Sequence, residues 1–129
     1  GEAEIKKLRE ETNIIIVDFH AEATSEKIAF GYFVDGKVSA VIGTHPHLQT
    51  ADEKILSEGT AYITDVGMTC PSISVIGIEK SQIIERFLLQ MPMKFETAKG
   101  EGILSAVVIE INESSGKATA MQRLQLKYP

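Results

Sequence analysis

The chain has 129 residues, a mass of 14.1 kDa, 43% hydrophobic residues, a net charge of −5 and one cysteine. That size suits one domain with a buried core, and the scattered basic residues exclude the cationic stripe that bulk nucleic-acid binding needs. The lone Cys70 excludes a disulfide framework or a Cys-rich zinc site and points to the cytoplasm, and no apolar run reaches the roughly 18 to 20 residues of a membrane span.

Glu2 to Glu11, rich in Glu, Lys and Leu, reads as the end of an exposed helix with Ile5 and Leu8 on one side. Ile14-Ile15-Ile16-Val17 is an unbroken β-branched run, the pattern of a central strand covered on both faces, and Asp18-Phe19-His20 closes it. Thr24 fits the N-cap of a helix through Val34, with Ile28/Tyr32 and Ala29/Phe33 as apolar pairs one turn apart, and Asp35-Gly36 stops it. Val38 to Ile42 follows as a buried strand, so residues 14 to 42 form a right-handed βαβ unit with parallel strands.

Thr50 fits the cap of a short helical turn through Leu56, and Ala61 to Thr64 reads as a further strand ending at Asp65. A loop from Val66 to Ser74 precedes a helix from about Glu79 to Gln90 that would bury Ile83, Ile84, Phe87 and Leu88. Lys94 to Ala98 reads as a short strand. Ile103 to Asn112 and Lys117 to Lys127 alternate around Glu113-Ser114-Ser115-Gly116, an antiparallel hairpin. The fold class is α/β with an antiparallel addition.

Two of the three histidines lie in Gly43-Thr44-His45-Pro46-His47. On an extended backbone residues i and i+2 project to one side, and Pro46 holds His45 out of the helical region, so both imidazoles can reach one point. Such a pair suits a borderline metal such as zinc, iron or manganese; the competing reading is two surface or capping histidines. Ligands of βαβ units gather beyond the carboxyl ends of the strands, where His20, His45 and His47 all fall. Asp18 reads either as an acceptor that orients an imidazole or as a solvated carboxylate, and Asp65 at its own strand end is the other acid retained.

Three blocks, Asp18-Phe19-His20-Ala21-Glu22-Ala23-Thr24-Ser25-Glu26-Lys27, Gly43 to Glu53, and Asp65-Val66-Gly67-Met68-Thr69, together resemble bacterial calcineurin-like metallophosphoesterases, more narrowly the cytosolic branch associated with cyclic-nucleotide phosphodiesterase activity. The resemblance runs in order through almost the whole chain, but only with that family's C-terminal half. It implies half of a four-layer α/β/β/α sandwich, with two divalent metal ions (iron, manganese or zinc) about a bridging hydroxide. It makes His20 the isolated ligand of the third block and His45 and His47 the ligands of the closing block, one for each metal.

The resemblance leaves the family's first-half ligands (an Asp, an acidic residue, one or two Asn) and its general-acid histidine unaccounted for. Asp18-x-His20 could pass for the superfamily's opening Asp-x-His pair, but no Gly-Asp-x-x-Asp or Gly-Asn-His block follows it. We therefore expect residues 1–129 to be the C-terminal portion of one metallophosphoesterase domain, inactive alone. Its partner would be the N-terminal half, and its substrate a phosphoester such as a cyclic nucleotide. A homo-oligomer stays open. The alternative is a non-catalytic metal- or nucleotide-binding regulatory module of the same fold. Cys70 as a nucleophile lacks a histidine at suitable spacing, and Glu22, Glu26, Asp52, Glu53, Glu79 and Met68/Met91/Met93 read as helix-start charges, solvated acids and filler.

Overall fold

The β-branched run and the helix after it build the expected βαβ unit: β1 (Ile16–His20), α2 (Thr24–Phe33) after an N-terminal α1 (Glu2–Arg9), and β2 (Ala40–Thr44) pairing in parallel with β1 from Ile16↔Ala40 to His20↔Thr44. This is a computed structural model describing residues 1–129. β3 (Lys54–Ile55) and β4 (Ala61–Ile63) complete a four-stranded sheet in the order β1-β2-β4-β3, with β4 parallel to β2 and β3 antiparallel to β4. A second, antiparallel sheet contains β5 (Cys70–Pro71), β6 (Gly102–Ile111) and β7 (Ala118–Tyr128), and α3 (Lys80–Leu89) lies between β5 and β6 in the chain.

The two faces of the first sheet carry different residues because side chains alternate along a strand. Val41 and Tyr62 turn toward Ile5 of α1 and Ile28, Phe30 and Val34 at α2, in the larger core cluster. Ala40 and Ala61 turn the other way and meet Ala118, Ile109, Ile111 and Met121 of the hairpin. α1 and α2, the first sheet and the second sheet thus make three layers, a mixed α/β architecture. Small alanines let the sheets approach closely, and no helix is long and apolar enough to cross a membrane.

Several expectations need correction. The run at residues 14–17 is no central strand: β1 pairs only with β2, and Ile14 and Ile16 are 38% and 49% exposed. Continuous apolarity signals burial on both faces, but here the outer side of β1 has no neighbouring strand. Thr24 is the first residue of α2 rather than its cap, which is Ala23 without a side-chain hydrogen bond. The buried stripe of α2 is also not the expected one. Tyr32 and Phe33 are exposed, while Lys27, Gly31 and Val34 face inward, and a Cβ at Gly31 would come within 2.6 Å of the Tyr62 ring.

The turn predicted over 50–56 is extended, because Thr50 and Asp52 spend their side chains on the end of β4 instead of a helix start. Within the predicted loop, Cys70–Pro71 pairs with β6. The strand expected at 94–98 reduces to one bridge, Ile78↔Thr97. On α3 the apolar stripe is turned outward: Ile84, Phe87 and Leu88 are 56%, 77% and 78% exposed, and the helix buries no residue. Periodicity finds an apolar face but not what covers it. Met91, read as filler, is exposed as well. The hairpin turn matches expectation, with Asn112 Oδ1 accepting from the Ser114 and Ser115 backbone N–H groups.

Candidate metal centre

β1 and β2 end side by side, so the last residues of each strand, His20 and Thr44, are direct register partners. Beyond them the chain turns sharply. His45 and His47 have φ of 142° and 70°, a region L-residues rarely adopt, so the expected extended His-x-His is in fact a strained turn. The turn swings His45 back over β1, where its Nδ1 lies 3.2 Å from His20 Nε2. The rings meet edge-on with centroids 5.0 Å apart, and His47 sits further off, 6.5 Å from His45. The strand ends thus bring all three histidines to one exposed edge, with His20 and His45 as the close pair.

A hydrogen-bond relay fixes the chemistry of that pair. Thr44 Oγ1 donates to Asp18 Oδ1 at 3.1 Å, as it must toward a carboxylate, which only accepts. Its one proton being used, Thr44 Oγ1 can only accept from His20 Nδ1, 3.1 Å away. His20 thus carries a proton on Nδ1, and its Nε2 is the acceptor that faces Nδ1 of His45. Asp18 accordingly acts on His20 through a hydroxyl, not by touching the ring.

The same strand ends are fastened underneath. Lys27, 1% exposed, donates from Nζ to the carbonyls of Thr44 (2.7 Å) and Thr64 (3.1 Å) and pairs with Asp65 Oδ2 at 3.5 Å, Asp65 being 1% exposed too. Asp65 Oδ1 in turn accepts the Gly67 N–H. Asp65 therefore faces the core and does not join the histidines. Gly43 permits the closeness of β2 and β4: an added Cβ would fall 1.9 Å from the Thr64 carbonyl oxygen.

Asp52, read as solvated, is half-buried. Its burial pushes the carboxyl up, but hydrogen bonds from the Thr50 and Thr64 hydroxyls and the Thr64 N–H outweigh this and hold it below the usual Asp value. Glu53 likewise is not free; it pairs with Arg123 at 2.7 Å, the ion pair joining the two sheets.

The donors fit a divalent metal at one point. Two nitrogens bound to one tetrahedral zinc at about 2.0–2.1 Å stand about 3.3 Å apart, and the His20–His45 pair, hydrogen-bonded to each other here, is set at 3.2 Å. They do not make a complete cage, since no three His, Cys, Asp or Glu side chains converge on one centre. A cavity of about 130 Å³ adjoins His47 and is walled partly by Met68 and Cys70. No hydrogen bond joins Cys70 to any of the three histidines; those of His20 and His45 go to Thr44 and to each other.

Sequence reasoning missed Thr44 and Lys27. Thr44 reads as an ordinary β-branched strand residue. Lys27 carries no role of its own in the sequence reading, although Lys27, Gly31 and Val34 at i, i+4 and i+7 trace one helical stripe.

Residues 1–124 match the family described as YmdB-like protein. Over 120 residues the chain is 50% identical to the 2',3'-cyclic-nucleotide 2'-phosphodiesterase of Bacillus subtilis (strain 168), covering 93% of this chain and 46% of that protein. Two crystal structures share the fold. A protein from Thermus thermophilus, described as hypothetical, superposes with a TM-score of 0.86 at 38% identity, over 97% of this chain and 50% of that one. A phosphatase from Mycoplasma pneumoniae gives 0.85 at 39% identity, over 95% and 46%. The chain spans about half the length of each. With its parallel sheet ending in the histidine edge and its antiparallel second sheet, the chain belongs to the YmdB-like family of metallophosphoesterase type.

Proposed function

We propose that this chain supplies the histidine half of a two-metal phosphoesterase site, His20, His45 and His47, and that the N-terminal half of the same protein supplies the remaining ligands and the proton donor. The observation that carries the reading is the His20 Nε2–His45 Nδ1 approach of 3.2 Å, with the His20 lone pair directed by Asp18 and Thr44. A pair of divalent ions (iron, manganese or zinc) supplies Lewis acidity toward phosphoryl oxygens and a nucleophilic water at neutral pH when bound.

The chain's own part is to hold neutral imidazoles at fixed spacing. The relay takes up Nδ1 of His20, so Nε2 is the nitrogen turned toward the site. His47, set apart from His45, serves the second ion. None of the three is then available to protonate a leaving alkoxide, which is why the chain alone is read as inactive. The exposed outer side of β1, with Ile16 half open, supports a further strand from the N-terminal half at that edge.

The substrate class follows from the Bacillus subtilis relative: a phosphodiester, with 2',3'-cyclic nucleotides the first to try. Hydrolysis of such a substrate by the intact protein, lost on His45→Ala, tests the reading. A metal-holding module without turnover is the second reading, favoured by the lack of any carboxylate converging with the histidines. Metal retention without hydrolysis in the intact protein would select it. The cytoplasm is the proposed location, on the single unpaired cysteine.

A further inference from the structure

The least expected group in the molecule is the ammonium of Lys27, buried at 1% exposure beneath the histidine edge. An ammonium in such a place must have its charge and all three donors answered. The three partners are the Thr44 carbonyl, the Thr64 carbonyl and the Asp65 carboxylate. The first two are the carbonyls at the ends of β2 and β4, just beyond the last register pair, Ile42↔Ile63. Past that pair a single backbone bond, from the Val66 N–H to the Gly43 carbonyl, still joins the strand ends, and beside it one side chain from α2 bridges the Thr44 and Thr64 carbonyls.

The turn after Thr44 is strained. His45 and His47 hold φ values of 142° and 70°, and non-glycine residues stay in such conformations only where their surroundings over-determine them. Thr44 is the last fixed point before that turn. Its carbonyl accepts from Lys27 Nζ and, more weakly at 3.4 Å, from the Ala21 N–H beyond β1. Its hydroxyl holds Asp18 and His20. The peptide leading into His45 is thus anchored on both sides.

We infer that Lys27 is a positioning residue for the metal centre: it ties the ends of β2 and β4 together so that His45 meets His20 at ligand spacing before any metal arrives. Asp65 is the necessary companion. A lone buried cation one residue from a metal ligand would repel a divalent ion, and the Asp65 carboxylate cancels it. The inference rests on the metal reading above.

The test uses the full-length protein that carries this chain, with Co2+ as the probe. Lys27→Met keeps the volume and removes the donors. It is compared with Val34→Ala, a core cavity variant whose thermal midpoint falls without touching the strand ends. The expected result is a rise of about tenfold or more in the Co2+ dissociation constant and altered visible bands for Lys27→Met, against a change within about twofold for Val34→Ala. Equal losses in both, or unchanged binding and spectrum in Lys27→Met, would overturn the inference while leaving the metal site standing. Should Lys27→Met not fold, amide exchange of the unaltered protein decides. Preorganisation predicts that the Ala21 and Val66 amides are protected without Co2+ and change less than about threefold on adding it, whereas a gain of about tenfold or more contradicts it. Failure of the unaltered protein to bind Co2+ overturns both the metal reading and this one.

Discussion

Nδ1 of His45 lies 3.2 Å from Nε2 of His20, although 25 residues separate them in the chain. The contact exists because β1 and β2 are parallel and end in register, and because the turn after Thr44 folds back across β1. The spacing of the two rings is therefore a property of the sheet, and on the proposed metal reading residues other than the histidines should govern metal affinity.

Thr44→Val is nearly isosteric and removes the hydroxyl that holds the His20 tautomer. Metal affinity should fall by about tenfold or more, while Thr44→Ser, which keeps the oxygen, should stay near the parent. Calorimetric titration with Zn2+ would show it. Equal affinity in Thr44→Val would mean that the relay does not matter.

Gly43→Ala places a methyl group 1.9 Å from a backbone oxygen of the neighbouring strand, which has no flexible end to move aside. Separation of β2 from β4 should cost on the order of 3 kcal/mol and misplace His45. Chemical denaturation gives the stability, and a parent-like value would show that the strands part without penalty.

Only part of this was legible in the sequence. The βαβ unit, the hairpin and the gathering of three histidines at a strand-end edge follow from β-branched runs, turn residues and the general place of ligands in parallel sheets. The outward face of α3 and the open side of β1 were not legible, because an apolar pattern reports a tendency to be covered and carries no information about the cover. Lys27 was missed for a related reason. Charged residues on helices are almost always solvated, and only the carbonyls of Thr44 and Thr64, 17 and 37 residues away, give this one a buried home.

Asp52 should make stability depend on acid. Its carboxyl is held below the usual value by the Thr50 and Thr64 groups, so its stabilising contribution is complete above the unfolded-state value of about 4 and is lost as the pH falls through the lower folded-state value. Asp52→Asn should lower stability at neutral pH by about 1–2 kcal/mol and narrow its deficit toward the parent in strong acid. Denaturation midpoints across that range measure both, and a deficit constant with pH would contradict the assignment.

Separately produced N-terminal half, mixed with this chain, should restore hydrolysis of a 2',3'-cyclic nucleotide that neither piece performs alone. Release of the nucleoside phosphate can be followed by chromatography. Activity of this chain by itself would refute the division of labour between the halves.

The most direct test of the metal centre is elemental analysis of the purified chain beside a His45→Ala, His47→Ala variant prepared identically. Iron, manganese or zinc should be bound to the parent and lost from the variant. Metal retained equally by both would contradict it, because the ion would then be held somewhere other than the edge where His20, His45 and His47 meet.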